Sequence, residues 1–362
     1  MITITNHAQR IPPAQKLNPY QLEFGKNHTP NWFVAEYRDG AWRNARVEPL
    51  GQIELHPAAL VFHYAQSIFE GLKAYAHPGG RVALFRPEMN ARRMKHSCER
   101  LSMPEVPEQF FLDAIRELVD IEREWVPEEP GSLYIRPTMI ATEPCIGVRS
   151  AHEFLFYVLT LPTGAYFKES KGLDQTVRVL ITESVGRASQ GGTGGVKAAA
   201  NYAITLKVIE EAKQHGCAQV LFLDARGRGL VEELGGMNAM FVINGTLVTP
   251  PVSDTTLNGV TRDSLVHLAR DLGIPVEERP VAIKEVLEGI AKGAVTEAMA
   301  CGTAAVIAAI GSFLLEDGRV VTVADGKAGP IARRLYDELV GIQYGRRPDR
   351  FGWVMDVARV AQ

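Results

Sequence analysis

The sequence lacks the features that mark several large classes of protein. Its four cysteines, Cys98, Cys145, Cys217 and Cys301, are scattered, with no C-x-x-C pair and no histidine at metal-ligand spacing. No metal is therefore expected, and the thiols read as small apolar core residues of a chain that works in a reducing cytoplasm. Long apolar runs are missing too. The richest, Ala304 to Ile310, falls well short of the roughly 20 residues that a membrane span needs, and the first residues show no basic cluster followed by an apolar stretch, so no secretion signal is expected. Nor is there an excess of charge of one sign: 39 basic residues face 42 acidic ones, for a net charge of −3. Such a balance offers no field to a polyanion, and nucleic acid is not an expected partner. Internal repeats and low-complexity tracts are absent.

What is present is a chain of 362 residues, longer than one core usually grows, so two domains are expected. The N-terminal part alternates strand-like runs with turns: Trp32 to Tyr37, Asp39-Gly40, Gly71 to Tyr75, Pro78-Gly79-Gly80, Arg81 to Phe85. Helices follow over Pro87 to Leu101, where proline suits the first turn, and over Pro107 to Trp125, where Phe111, Ile115, Leu118 and Ile121 recur at helical spacing. Strands Ser132 to Thr142 and Phe154 to Pro162 complete an α+β unit over residues 1–164. Turn formers and charges mark 165–175 as an interdomain loop. The C-terminal domain, 176–362, should hold strands Val177 to Thr182 and Gln219 to Leu223, a hairpin tipped by Asn244-Gly245, and another at Asp317-Gly318. Its helices are expected over Ala198 to Gln214, Val260 to Asp271, Ile283 to Lys292 and Ile331 to Leu339. Antiparallel turn signals outnumber strand-helix-strand units, which argues against a simple doubly wound sheet.

The chemistry-bearing stretch is Gly191-Gly192-Thr193-Gly194-Gly195-Val196-Lys197. It is not a phosphate-binding P-loop, because Val196 rather than glycine precedes the lysine and Ala198 follows it. What remains is a lysine behind a tight glycine turn, flanked by Val196 and three alanines. Partial desolvation there favours a neutral amine able to form an imine, although a solvated surface position is the usual fate of lysine. An imine cofactor such as pyridoxal phosphate needs an anion for its ring nitrogen, a phosphate cup and a donor near its phenolic oxygen. Glu232-Glu233 before Gly235-Gly236-Met237-Asn238 offers carboxylates in an apolar stretch. Leu257-Asn258-Gly259-Val260-Thr261 reads as a helix start able to hold an anion. Tyr202 lies five positions after Lys197, and Cys301-Gly302-Thr303-Ala304 is a second Gly-Thr turn.

This constellation resembles the branched-chain amino-acid aminotransferases, of fold type IV among pyridoxal-phosphate enzymes. The likeness is carried by Phe62-His63-Tyr64 through Phe69-Glu70-Gly71-Leu72-Lys73, by Leu84-Phe85-Arg86-Pro87 with Asn90 and Arg93-Met94, and by Tyr134-Ile135-Arg136-Pro137. It continues through Gly164-Ala165-Tyr166-Phe167, Lys197 with Asn201-Tyr202-Ala203, Glu233 to Asn238, Leu257 to Thr261 and Gly302-Thr303-Ala304.

The resemblance implies a D-amino-acid-aminotransferase-like fold, with a smaller N-terminal α+β domain and a larger, β-barrel-like C-terminal domain with helices. It implies pyridoxal 5'-phosphate held as an imine on Lys197, which also shuttles the proton. Glu233 would face the ring nitrogen and Tyr202 the phenolic oxygen. Arg93, Val260, Thr261 and Thr303 would bind phosphate, with Gly236, Met237, Asn238, Leu257 and Gly259 lining the cofactor. Phe24, Tyr64, Phe69, Tyr134 and Tyr166, with Thr303 and Ala304, would form the substrate pocket, where burial of an aliphatic side chain contributes roughly 1.5–3 kcal/mol. Arg136 would receive the γ-carboxylate of glutamate. The implied reaction is reversible ping-pong transfer between L-leucine, L-isoleucine or L-valine and 2-oxoglutarate, by a homodimer.

Some features depart from the family. Ala305 and Ala308 stand where animal members carry a redox C-x-x-C, and Gly236 replaces a threonine found in some members. The lysine and glutamate alone do not separate this reading from a D-amino-acid aminotransferase or an aminodeoxychorismate lyase; the N-terminal motifs favour the branched-chain group.

Overall fold

The computed structural model describes residues 2–164 and 173–358. The chain forms two compact units, Met1–Lys168 with Lys197–Ala200 and Ile342–Gln362, and Glu169–Val196 with Asn201–Gly341.

The first unit is built on one sheet in the order Thr5–Asn6, Ala41–Pro49, Asn31–Arg38, Phe154–Thr163, Ser132–Ala141, Leu72–His77, Arg81–Phe85, Val354–Asp356, with Ser67–Phe69 also paired to Ser132–Ala141. The turn between Asn31–Arg38 and Ala41–Pro49 uses Asp39 and Gly40 at φ 51° and 75°, a left-handed pair that matches strand twist. Alternation then sorts side chains to the two faces. Leu133, Ile135, Met139 and Ala141 enter the core with Leu72, Ala74 and Leu84, whereas Tyr134 and Arg136 point from the opposite face. Helices Pro87–Arg100 and Glu108–Ile121 cover the core face through Ala91, Met94 and Cys98 and through Phe111, Ile115 and Leu118.

The second unit closes a ring of six strands. Val177–Thr182 pairs in parallel with Gln219–Leu223 and with Val306–Leu314. The remaining pairings are antiparallel: Gln219–Leu223 with Val231–Leu234, Val231–Leu234 with Asn238–Ile243, Asn238–Ile243 with Val295–Gly302, and Val295–Gly302 with Val306–Leu314. Closure removes free edges, so a run such as Asn238–Ile243 is buried at every position. Helices Leu206–Gln214, Val260–Asp271, Ile283–Ala291 and Pro330–Gln343 belong to this unit except for the last two residues of the final helix.

The mixed α+β architecture and the barrel expected from the sequence are both present. Two expectations need correction. A single C-terminal domain over 176–362 does not describe the division, because two of its segments belong to the first unit. Val354–Asp356 pairs with Arg81–Phe85, and Tyr344 Oη donates to the carbonyls of Pro130 and Gly131 at 3.0 and 2.9 Å. Ala198 forms a bridge with Ile68, and Ala199 N–H donates to the Ser67 carbonyl at 3.0 Å. For the same reason, the helix expected from Ala198 starts only at Ala200, ends at Ala203 and resumes over Leu206–Gln214: the residues after Lys197 bond laterally to the first unit's sheet. Among the described residues no helix is long and apolar enough to cross a membrane.

Candidate active site

In the first unit, the site grows from the spacing of one helix. Asn90, Arg93 and Ser97 are three and four residues apart on Pro87–Arg100 and therefore share a flank. Arg93 grips the fully buried Glu70 with its fork, Nε to Oε1 at 2.7 Å and Nη2 to Oε2 at 2.8 Å. Asn90 Nδ2 and the Gly71 N–H add donors to Oε2 at 2.7 and 3.2 Å. Burial alone would raise the Glu70 pKa, but the charge and hydrogen bonds of Arg93, with Lys197 and Asn90, hold it below the ordinary carboxylate value.

One turn further on, Ser97 Oγ accepts the Lys197 N–H at 3.2 Å, while the Lys197 carbonyl accepts the Phe69 N–H at 3.1 Å. The lysine is half-buried, and its Nζ lies 4.7 Å from the centroid of the Phe69 ring. The Arg136 guanidinium carbon lies 4.7 Å from the same ring and 5.2 Å from that of Tyr134, whose hydroxyl accepts from Arg136 Nη2 at 2.8 Å. Phe24 packs edge-on against Tyr134 at 4.9 Å. A side chain at Gly71 would collide with the Tyr134 hydroxyl, which explains glycine there.

The fold therefore gathers Phe24, Phe69, Tyr134, Arg136, Arg93 and Lys197. Tyr64 has a separate setting on the short helix Leu60–Tyr64, where its hydroxyl donates to the Ile146 carbonyl. Tyr166 lies outside the described residues.

In the second unit, Glu233 on Val231–Leu234 is buried and saturated with donors. Arg187 Nη2 lies 3.1 Å from its Oε1, and Asn238 Nδ2 and the Leu257 N–H each donate to Oε2 at 3.0 Å. Arg187 also donates to the Gly194 carbonyl at 3.5 Å and to that of Thr255, tying the glycine turn to the 253–256 segment. Asn201 secures the same turn by donating to the carbonyls of Thr193 and Val196 at 2.6 and 2.9 Å.

Gly259 caps the helix Val260–Asp271, and no side chain caps that end. The first N–H groups of a helix lack intrahelical acceptors and attract anions, and the Thr261 hydroxyl sits in that first turn. A Cβ at Gly259 would strike Asn238 Oδ1, and one at Gly236 would meet Tyr202 Cε1 at 4.0 Å. Thr303 and Ala304 occupy the tight loop between Gly302 and Val306, which pair directly, and a Cβ at Gly302 would touch Met237 Cγ at 3.4 Å. Val306 follows at φ 63°, which a β-branched side chain adopts only when packing imposes it. This unit thus brings Glu233, Asn238, Leu257 and Gly259 together, sets Tyr202 against Gly236, and sets Gly302 against Met237.

Three functional neighbours escaped the reading of the sequence. Glu70 and Asn90 lie in quoted motifs but had no role assigned, and Arg187 was not singled out. A lone arginine between Gly186 and Ala188, ahead of a glycine turn, is the signal that could have found it. Of the four thiols, burial pushes Cys98 and Cys301 up to about 12. Ala305 and Ala308, at the place of the redox pair, are buried.

One unit holds a half-buried lysine pinned at both backbone ends, and the other holds a buried carboxylate with three donors and an anion-seeking helix start; each is a feature suited to covalent handling of amines on a phosphorylated carbonyl group. The amino-transferase class IV family matches residues 67–313, and the chain belongs to that family. Its relatives narrow the group. It is 43% identical over 95% of its length to the branched-chain-amino-acid transaminase 1 of Bacillus subtilis (strain 168), covering 96% of that protein. It is 45% identical to the branched-chain-amino-acid aminotransferase of Mycolicibacterium smegmatis, with 91% of each chain covered. Among solved structures, the branched-chain amino acid aminotransferase of Escherichia coli superposes with a TM-score of 0.74 at 25% identity, over 90% of this chain and 99% of that one. The enzyme of Thermobaculum terrenum, solved in its PLP form, gives 0.74 at 27% identity over 90% and 98%.

Proposed function

We propose that this enzyme transfers the amino group between L-leucine, L-isoleucine or L-valine and 2-oxoglutarate, with pyridoxal 5'-phosphate held covalently by Lys197. The observation that carries the reading is the setting of that lysine: its main chain is bonded to Ser97 and Phe69, and its amine stands at the same aromatic ring as Arg136.

The donor set fits the cofactor. Glu233 would offer its carboxylate to a protonated ring nitrogen, the first turn of Val260–Asp271 with Thr261 offers donors for phosphate, and Arg93 adds a cation whose orientation Glu70 fixes. Thr303, Tyr202, Gly236, Met237, Asn238, Leu257 and Gly259 complete the proposed cofactor contacts. When bound, pyridoxal phosphate supplies a carbonyl for the substrate amine and an electron sink for the α-carbon.

The chain's own residues do the rest. Lys197 Nζ would be the base that takes the proton from the substrate α-carbon and gives it back. Phe69, Tyr134 and Phe24 present apolar faces to an aliphatic side chain and exclude water from it. Arg136, on the same ring, receives the γ-carboxylate when glutamate enters, so apolar and acidic side chains alternate in one pocket.

A homodimer is part of this reading. Phe62, Ile146 and Val148 are 62%, 66% and 85% exposed, and their segments are stitched together by Leu60 N–H to the Glu143 carbonyl and Cys145 N–H to the Ala58 carbonyl. Such an apolar patch suits a second copy. A cytoplasmic site accords with free thiols and the absence of paired cysteines. The deciding experiment is borohydride reduction of the purified yellow protein followed by peptide mapping, together with turnover of L-leucine with 2-oxoglutarate. A phosphopyridoxyl adduct on Lys197 supports the assignment; a colourless protein, or an adduct on another lysine, overturns it.

A further inference from the structure

Glu70 touches nothing that reacts, yet it is the most completely buried carboxylate of the first unit and sits at the join of three elements. Its main-chain N–H donates to the Pro137 carbonyl at 2.8 Å, next to Arg136, and its neighbour Phe69 bonds the Lys197 carbonyl. Its side chain takes both arms of Arg93 and the amide of Asn90. Ser97, one turn beyond Arg93, donates to the Arg93 carbonyl at 3.0 Å and accepts the Lys197 N–H. Arg93 and Lys197 are thus linked through the helix that Glu70 grips.

We infer that Glu70 is a positioning residue with two separable effects: its shape aims Arg93, and its charge raises the proton affinity of the Lys197 nitrogen. The inference rests on the assignment of Lys197 as the cofactor lysine. The bidentate fork leaves Arg93 a fixed direction for its remaining N–H groups, so an anion meets a preset contact rather than a mobile one. The second effect is electrostatic. Glu70, Arg93 and Arg136 are charged groups in the neighbourhood of Lys197. Arg136 stands at the Phe69 ring beside the lysine, and Arg93 lies on the helix whose Ser97 takes the Lys197 N–H. Glu70 neutralises Arg93, and Lys197 in turn helps to hold the Glu70 carboxyl ionised. Removing the Glu70 charge thus takes away an attraction and uncovers a repulsion, and both favour loss of the proton from Lys197.

The test uses the holoenzyme and two variants. In Glu70→Gln, spectrophotometric titration of the bound chromophore should show its midpoint falling by about one pH unit, the size of an opposite-charge effect at close range. Release of the cofactor on dialysis should also speed up. Glu70→Asp keeps the charge and shortens the arm, so its midpoint should stay within a few tenths of a unit of wild type while cofactor release is still faster. The inference is overturned if Glu70→Gln titrates like wild type, or if both variants shift alike, which would mark a structural role only. Should Glu70→Gln not fold, the Asp variant carries the test: a midpoint lowered by a full unit overturns the inference and a retained midpoint with faster release sustains it. Borohydride mapping on the same samples separates the two levels. An adduct on Lys197 with an unmoved titration refutes the role of Glu70 alone, whereas no adduct there refutes the assignment beneath it.

Discussion

Each unit buries a glutamate that it holds with the same three kinds of donor, an arginine, an asparagine amide and a backbone N–H. Glu70 has Arg93, Asn90 and Gly71; Glu233 has Arg187, Asn238 and Leu257. The difference lies in the arginine. Arg93 spends two nitrogens on Glu70 in a closed fork, whereas Arg187 offers Glu233 a single nitrogen at 3.1 Å that it shares with two carbonyls. Glu70 is thereby locked into a closed pair, whereas Glu233 is held by single contacts from three separate elements. Where such donors are lacking, burial wins. Glu122 accepts only from Asn31, twice, with Arg10 acting at a distance, and is pushed up to about 7; Glu232, beside Glu233 on the same strand, likewise rises to about 7. The first unit thus holds Lys197 and Arg136, and the second holds Glu233 and the start of the helix Val260–Asp271.

This division can be broken by substitution. Lys197→Ala should lower transamination by at least about 10⁴-fold, since both nucleophile and proton carrier are lost, with an unchanged circular dichroism spectrum; near-wild-type turnover would remove the basis of the comparison. Glu233→Gln, which keeps the shape and removes the charge, should cost about 10²- to 10³-fold in kcat. A loss no greater than that of Glu70→Gln would mean the two glutamates are not different in kind.

Arg136→Ala should reduce kcat/KM for glutamate about 10- to 100-fold more than for leucine, the worth of a charged hydrogen bond of about 1.5–3 kcal/mol. Equal losses on both substrates would sink the dual pocket.

Glu122 sharpens the contrast through pH. Its folded pKa is raised from 4.5 to about 7, so the folded state keeps a proton that the unfolded chain releases. Stability from this group is complete below about pH 4.5 and is lost as pH rises toward 7 and beyond. Glu122→Gln should therefore flatten the fall in melting temperature between pH 5 and pH 8 by a few degrees, equivalent to about 1–2 kcal/mol. Parallel melting curves for variant and wild type would show that Glu122 is ionised in the fold. Last, Thr261→Ala should weaken cofactor retention about 3- to 10-fold, one hydrogen bond's worth, measured by fluorescence titration of the apoenzyme, and leave the glutamate-to-leucine ratio alone.

The legible part of this protein was local. Glycine turns, helical spacing and the hairpin tip Asn244-Gly245 are short-range signals, and the elements they announce lie close to where they were expected: Arg81–Phe85, Val177–Thr182 and Val260–Asp271 coincide with the expected runs. Lys197 was visible because its neighbours are chemically unusual. What stayed hidden was pairing across sequence. Nothing local marks Glu70 for burial until Arg93, on another element, reaches it, and Arg187 and Glu233 stand 46 positions apart in number but 3.1 Å apart in space. The helix expected from Ala198 failed for the same reason, because alanines that favour a helix locally were recruited by the backbone of Ser67 and Ile68.

The stitching of Lys197 gives the enzyme a fixed pivot. With its N–H held by Ser97 and its carbonyl by Phe69, the main chain cannot follow whichever molecule arrives, and only the flexible methylene stem swings. On the proposed role of Lys197, an amino donor and a keto acceptor entering in turn would meet the same amine from the same origin. One hinge point serves both halves of the exchange, and the discrimination between the two visitors falls to the walls of the pocket.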